Sequence, residues 1–352
     1  KIVESLAGGS NLVDQAVPIQ RVLVTQQGHF GALDFVADRL NVPMLGAVLS
    51  FDRLSESLYK KAIIEADVYT VTDIETIEAG QDSIRVTLNS GVATETISAS
   101  LLVAADGAHS ACRQKLGVSV NTRSSKDQSI AFELQLSDSH NNQAWQRFTA
   151  DGTLAIVPLR EANVVRLVWT LSDRLAKKVD AWSAVQLQSY FNEVYRGYCP
   201  RIQTAKRLQS YVLQTSMAET QCQRRSVLMG NAARTFYPTT AQGFNLALRD
   251  VATLAQLMVQ SSTNQNDIGR SQLLDQYLAW REPDQKKVMQ MTADMNAIFG
   301  LQLPMLSAVR GMGLAAIELL PFMKARLAKR LLGLSGKVPD MALGVPLFRE
   351  SV

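Results

Sequence analysis

Two short stretches of the chain hold residues whose types and spacing can do chemistry. The first is Asp106-Gly107-Ala108-His109-Ser110-Ala111-Cys112-Arg113, directly after the apolar run 101–105. A carboxylate beyond the end of a buried strand stands where open α/β sheets bind ligands. Asp106 can accept hydrogen bonds from a sugar hydroxyl or from a backbone turn. Ser110 can cap the next helix, and Arg113 on its first turn can meet a phosphate or a carboxylate. The same residues also suit a plain helix cap, with Arg113 solvated at the surface. The second stretch is 227–245. Its apolar start ends at Gly230-Asn231-Ala232, a loop with Pro238 follows, and Gly243-Phe244-Asn245 opens a segment with Ala247, Leu248, Val251, Leu254, Ala255 and Met258 at helical spacing. Strand, loop and helix with a glycine at each junction let a ligand approach the backbone and offer an anion the free N–H groups of a helix start. Taken alone, this is also what an ordinary βα turn looks like.

These stretches need a sheet on one side and helices on the other. Strands are predicted at 19–25 and 44–49, a helix at 51–65, then β-branched segments at 67–72, 84–88 and 92–97, with Asn89-Ser90-Gly91 as a hairpin turn between the last two. The middle of the chain reads differently. Segments 129–137, 145–149, 153–158 and 164–170 alternate or run apolar, separated by turns at Asp151-Gly152 and 161–163, and predict an antiparallel sheet. A helix is predicted at 181–198 and a returning strand at 207–213. Trp145, Phe148 and Trp169 either line an aromatic pocket on this sheet or form its core, and core is the commoner role for strand aromatics. After a polar linker at 261–267, a helical stretch runs over 271–299, interrupted at Pro283. In the tail, Leu319, Met323, Leu327 and Leu331 form a stripe, with Lys324, Arg326, Lys329 and Arg330 off it. Such a basic amphipathic helix either contacts a membrane surface or partner, or docks on its own protein.

Composition narrows the function classes. At 352 residues with 47% hydrophobic and 19% charged residues, the chain has material for two domains or one elaborated one. A net charge of +4 without basic runs in the first two-thirds does not suggest a nucleic-acid partner. Cys112, Cys199 and Cys222 are far apart, as are His29, His109 and His140, so neither a metal site nor a disulfide framework is read from them, and reduced thiols in the cytoplasm are the default. No apolar run reaches the roughly 18 residues of a membrane span.

Read together and in this order, Asp106-Gly107-x-x-Ser110-x-x-Arg113 and Gly230-Asn231-Ala232…Pro238-x-x-x-x-Gly243-x-Asn245 resemble the two downstream fingerprints of the class A flavoprotein monooxygenases, the para-hydroxybenzoate hydroxylase fold. The stretches 102–110, 147–159, 167–170 and 242–251 are similar to the ubiquinone-biosynthesis ring hydroxylases, and Asn231 to their 2-polyprenyl-6-methoxyphenol hydroxylase branch. The resemblance implies an α/β (α+β) fold: an FAD-binding domain from 1–118 and 215–265, incomplete at its N-terminus, an inserted antiparallel substrate domain at 119–214, and C-terminal helices at 266–352. It implies FAD and NAD(P)H as cofactors, with Asp106, Gly107, Ser110 and Arg113 in FAD and NAD(P)H binding. Gly230, Asn231, Ala232 and Pro238 would hold the ribityl chain, and Gly243, Phe244 and Asn245 would lie at the isoalloxazine. The implied reaction is hydroxylation of a polyprenylated phenol with O2 through a flavin hydroperoxide. Other ubiquinone-biosynthesis proteins are implied as partners, as is a cytoplasmic location peripheral to the inner membrane.

Three departures qualify the expectation. The family's opening Gly-x-Gly-x-x-Gly unit, which is at least ~30 residues long, is absent from 1–53, so the chain reads as a shortened form or a degenerate relative, with weak or no FAD retention. Tyr237 and Ala241 stand where the family often has His and Gly. Asn231 is neutral where an aspartate is usual. A non-catalytic relative that binds a prenylated lipid or scaffolds a biosynthetic complex is the alternative. No general base is identified.

Overall fold

A computed structural model describes residues 1–7, 12–28, 31–70, 73–237, 242–300, 317–333 and 336–347. Its largest element is an eight-stranded sheet in the order Arg234–Thr235, Ile202–Ala218, Val120–Leu136, Val164–Leu171, Gly152–Pro158, Gln143–Thr149, Arg21–Gln26, Ala32–Val36. All neighbours are antiparallel except Arg21–Gln26, which runs parallel to Gln143–Thr149. Strand side chains alternate between faces, and here Phe132, Leu134, Leu154, Ile156, Leu167 and Trp169 share one buried face. The helices Asp173–Val179 and Ala184–Val194 cover it with Val179, Leu187 and Phe191. Ser183 and Gln186 close the second helix with reciprocal side-chain–backbone hydrogen bonds, which starts it three residues later than predicted.

Trp145 and Trp169 belong to this covered core. Trp169 stacks on Tyr190 at 4.9 Å between ring centroids, and Trp145 donates its indole N–H to the Tyr198 carbonyl at 2.7 Å. They do not line a substrate pocket. Phe148, out of phase with Trp145 on the same strand, is also buried.

The sheet is not confined to 119–214. Residues 21–36 add two strands at one edge, Arg234–Thr235 adds one at the other, and Ile202–Ala218 runs past position 214 with three register shifts. The predicted strand 19–25 is divided at Gln20, whose amide donates to Asn142 and whose carbonyl accepts from Ala37. That break lets Val17–Ile19 pair separately with Gly46–Val48.

A second, smaller sheet joins Leu102–Ala104 in parallel to Ser226–Leu228, with Cys222–Gln223 antiparallel beside it. Ala104 is buried, but Val103 is 41% exposed, so the run 101–105 is not enclosed on both faces. The helices Gly243–Thr263 and Ser271–Gly300 pack Leu254, Leu257, Leu273 and Tyr277 against Val227 and Met229. Pro283 does not interrupt the second of these helices. Proline removes one backbone hydrogen bond, and the Arg281–Asp284 ion pair at 2.8 Å spans the position. A meander of Asp73–Ala79, Ile84–Asn89 and Thr94–Ala99 completes this side. Its first strand lies beyond the predicted 67–72, whose described part, 67–70, is not strand. The Asn89 side chain accepts from the Gly91 amide at 2.7 Å in the predicted turn.

The helix Phe51–Glu65 has the predicted bounds. In the tail, Pro321–Leu331 docks Leu327, Ala328 and Leu331 on Val22, Val24, Leu33 and Phe35, so the predicted stripe is divided. Its second half is packed, whereas Leu319 and Met323 are exposed. Among the described residues, no helix is long and apolar enough to cross a membrane.

Candidate functional site: two loops joined at the ends of parallel strands

The parallel pair Leu102–Ala104 and Ser226–Leu228 brings two loops, distant in sequence, to the same sheet end. The Met229 amide donates to the Ala104 carbonyl at 2.9 Å, and the chain then turns through Gly230–Ala232. Gly107 lies at φ +90° and Gly230 at φ +55°, left-handed conformations that favour glycine.

Arg113 joins these loops. It is 6% exposed, and its guanidinium donates to the Ala108 carbonyl at 2.9 Å and to the Ala232 carbonyl at 2.8 Å. This corrects both sequence readings of Arg113, because it is neither solvated nor aimed outward at an anion. Ser110 is buried and caps the helix Ala111–Lys115 by accepting from the Arg113 amide at 2.9 Å. The Ser110 hydroxyl also donates to Asp106 Oδ1 at 2.5 Å, and the Cys112 amide donates to Oδ2 at 2.9 Å. Partial burial opposes the charge on Asp106, but these hydrogen bonds outweigh it and hold the carboxyl below its ordinary pKa. Of the two roles open to Asp106, the observed partners are those of a backbone turn.

The open side of the site is made of backbone. Among the described residues, no atom beyond its chain neighbours lies within 4 Å of a Cβ built on Gly107. Asn231 is exposed and Ala232 buried. Gly243 starts the helix Gly243–Thr263, with Gln242 before it making no side-chain cap. The N–H groups of the first turn have no intrahelical acceptor, and Phe244 (53% exposed) and Asn245 lie open beside them. Among the described residues, a Cβ on Gly243 would meet Phe236, at 3.7 Å. Pro238 and Ala241 lie outside the described residues. Tyr237 hydrogen-bonds to Asp127, with Ser125 at 3.4 Å. Burial, reinforced by Asp127, raises its phenol above the ordinary value.

A buried ion network beneath the helix start was not anticipated. Asp250 accepts from Arg234 at 3.0 Å, Arg281 at 2.6 Å and Gln285 at 3.1 Å. Asp284 accepts from Arg281 at 2.8 Å and Arg249 at 3.0 Å. The network ties the strand after the Gly230 turn to both long helices. The signal in the sequence was an aspartate on the apolar stripe of its helix, in register with Leu246, Leu254 and Leu257; an acid there is seldom buried without a partner. Gln242 is a second omission. Its side chain donates to the Leu331 carbonyl at 2.7 Å, which brings the tail to the helix start.

The thiols are not part of this chemistry. Burial pushes Cys112, Cys199 and Cys222 up to about 12, with the Asp106 charge adding to the effect at Cys112. Among the described residues, no group of His, Cys, Asp or Glu could hold a metal ion.

The helix start, which the Gln242 side chain does not cap, and Gly107, whose Cβ position is open among the described residues, leave backbone N–H groups and room that fit an extended, partly anionic ligand such as the flavin and ribityl end of FAD. Fold and site together define a flavoprotein of the aromatic-hydroxylase type. The chain belongs to the FAD binding domain family, whose model matches residues 14–292. It is 28% identical to the 3-demethoxyubiquinol 3-hydroxylase of Escherichia coli (strain K12), over 89% of this chain and 80% of that protein. To the ubiquinone hydroxylase UbiL of Rhodospirillum rubrum it is 29% identical, over 76% of this chain and 62% of that protein. The chain thus spans under two thirds of UbiL. Among solved structures, p-nitrophenol 4-monooxygenase PnpA from Pseudomonas putida DLL-E4 superposes with a TM-score of 0.72 at 15% identity, over 93% of this chain and 84% of that one. The fold is that of the FAD-dependent aromatic hydroxylases, FAD is the cofactor, and NAD(P)H is the usual reductant of such enzymes.

Proposed function

We propose that the protein is an FAD-dependent, NAD(P)H-using monooxygenase that hydroxylates the aromatic ring of a polyprenylated phenol in ubiquinone biosynthesis. The observation that carries this reading is the helix start at Gly243, which no side chain caps among the described residues, beside the Arg113-joined loops. FAD supplies the redox and oxygen chemistry when bound. This chain's own groups do the rest. The first-turn N–H groups of Gly243, Phe244 and Asn245, with the positive end of the helix dipole, stabilise negative charge brought to them. Gly107, Gly230 and Asn231 let an extended ligand lie close to the backbone. Asp106, Ser110 and Arg113 keep the two loops in register.

The sheet face opposite Trp145 and Trp169 supplies a floor for the ring. Gln146, Ala155, Val168 and Ala131 are successive cross-strand neighbours on it, and all are half-buried. A flat, mostly apolar row suits an aromatic substrate and keeps water from the reacting atoms.

The test is FAD titration followed by flavin fluorescence, with NAD(P)H oxidation measured with and without a prenylated phenol. Wild type should bind added FAD, and the phenol should stimulate oxidation. Gly243→Val should abolish FAD binding with little change in far-UV circular dichroism, because the new side chain enters the cofactor's approach. Equal FAD binding by wild type and variant would refute the site. FAD binding with no response to any prenylated phenol would favour the lipid-binding or scaffolding alternative.

A further inference from the structure

The tail helix Pro321–Leu331 has two unlike faces. Leu327, Ala328 and Leu331 are packed on the edge of the large sheet. The start of the helix is anchored there too, with Lys324 bonded to Glu318 at 2.5 Å and lying 5.9 Å from the Phe35 ring centroid. Glu318 accepts in turn from the Asp34 amide at 3.1 Å.

The opposite face is open. Phe322 is 70% exposed and Met323 40%. Arg326, Lys329 and Arg330, one and two turns further on, fall on the same side by helical spacing and are exposed. Just before the helix, Leu319 is 79% exposed and Leu320 40%. Among the described residues, no carboxylate forms an ion pair with Arg326, Lys329 or Arg330; the tail ion pair that occurs is Lys324–Glu318. The helix dipole accounts for Lys329 and Arg330 in the last turn. It accounts neither for Arg326 nor for a phenylalanine held out in water.

We propose that this face is a docking surface for an anionic lipid membrane, with Leu319, Phe322 and Met323 entering the acyl boundary and Arg326, Lys329 and Arg330 on the lipid phosphates. Exposed large apolar side chains followed by cations that pair with no carboxylate among the described residues match the two layers of such a surface, apolar beneath and negative above. The placement bears on the reaction proposed above and rests on it there. Leu331, at the end of this helix, receives the hydrogen bond from Gln242 at the start of the Gly243 helix. The bound membrane, in which a polyprenylated substrate dissolves, would lie next to the start of the Gly243 helix.

The test is co-sedimentation of the full chain with phosphatidylcholine vesicles, with and without phosphatidylglycerol, at low and raised salt. Wild type should bind the anionic vesicles, bind the neutral ones weakly, and be released by salt. Each basic residue near an anionic surface contributes about fivefold to partitioning, so Arg326→Gln/Lys329→Gln/Arg330→Gln should lower anionic-vesicle binding about a hundredfold. Phe322→Ser/Met323→Ser should weaken binding to both vesicle types. All five side chains are exposed, so thermal unfolding should stay at the wild-type temperature, which separates lost docking from lost folding. Absence of wild-type binding to anionic vesicles, or binding unchanged in both variants, would overturn the proposal and leave the face to a protein partner. Vesicle binding needs neither flavin nor substrate. Intact binding without ring hydroxylation would fault the proposed reaction alone, and hydroxylation of a short-chain phenol without vesicle binding would fault the docking surface alone.

Discussion

Replacing Arg113 separates two accounts of the motif around Asp106. Arg113 is buried and donates to the carbonyls of Ala108 and Ala232 at 2.9 and 2.8 Å. A hydrogen bond to a charged group is worth about 1.5–3 kcal/mol. Arg113→Met keeps the stem and removes both donors, so it should destabilise the protein by about 3–6 kcal/mol, with two carbonyls left wanting a partner. Arg113→Lys keeps the charge but cannot fork to both carbonyls, and should lose about half of that. The assay is urea unfolding without FAD, followed by FAD titration of each variant at a denaturant concentration where it is still folded. If Arg113 instead met a phosphate of the cofactor, the flavin-free protein would be as stable as wild type and FAD affinity alone would fall. Flavin-free stability within about 0.5 kcal/mol of wild type, the ordinary range of surface changes, would refute the assignment of Arg113 as the link between loops.

Three further outcomes follow from the same geometry. Asp250→Ala removes the acceptor shared by Arg234, Arg281 and Gln285, and should cost at least about 3–5 kcal/mol, the usual penalty for leaving a buried charge unpaired; a loss under 1 kcal/mol in thermal or urea unfolding would contradict the network. The thiols of Cys112, Cys199 and Cys222, pushed up to about 12, should react with a maleimide at neutral pH only after unfolding, since the thiolate is the nucleophile, and rapid labelling of the native protein would count against their burial. Asp106 is held below its ordinary pKa, so its contribution to stability is present above the unfolded carboxylate's value and fades as pH falls through the folded one; the stability gap between wild type and Asp106→Asn should therefore narrow below about pH 3.9, and a gap that widens on acidification would reverse the sign.

Much of the fold is legible in the sequence because burial leaves period-two and period-3.6 traces. The core strands around Phe132, Leu154 and Leu167 and the helix Gly243–Thr263 carry such traces cleanly. What was not legible depends on partners distant in sequence. Residues 32–36 alternate weakly and become strand by pairing with Arg21–Gln26 beneath the tail helix. Pro283 reads as a break because propensity sees the lost hydrogen bond, not the ion pairs of Arg281 and Asp284 on either side of it. At the site, residue types located both loops, but they could not distinguish an arginine that binds a ligand from one that binds the other loop.

The antiparallel pairing of Val120–Leu136 with Ile202–Ala218 has a consequence for how the site is assembled. Arg113 and Ala232 are 119 positions apart, and closing an open loop of that length costs (3/2)RT ln n, about 4 kcal/mol. The large sheet, however, pairs Val120 with Ala218. Once it has formed, only about 20 residues of free chain remain between the two loops, and the closure cost falls by about 1.5 kcal/mol. The large sheet therefore also acts as a splint that holds the loops around Arg113 and Ala232 close together while they find each other. An insertion within it that left Val120 and Ala218 paired would lengthen the chain between Arg113 and Ala232 without making them harder to join.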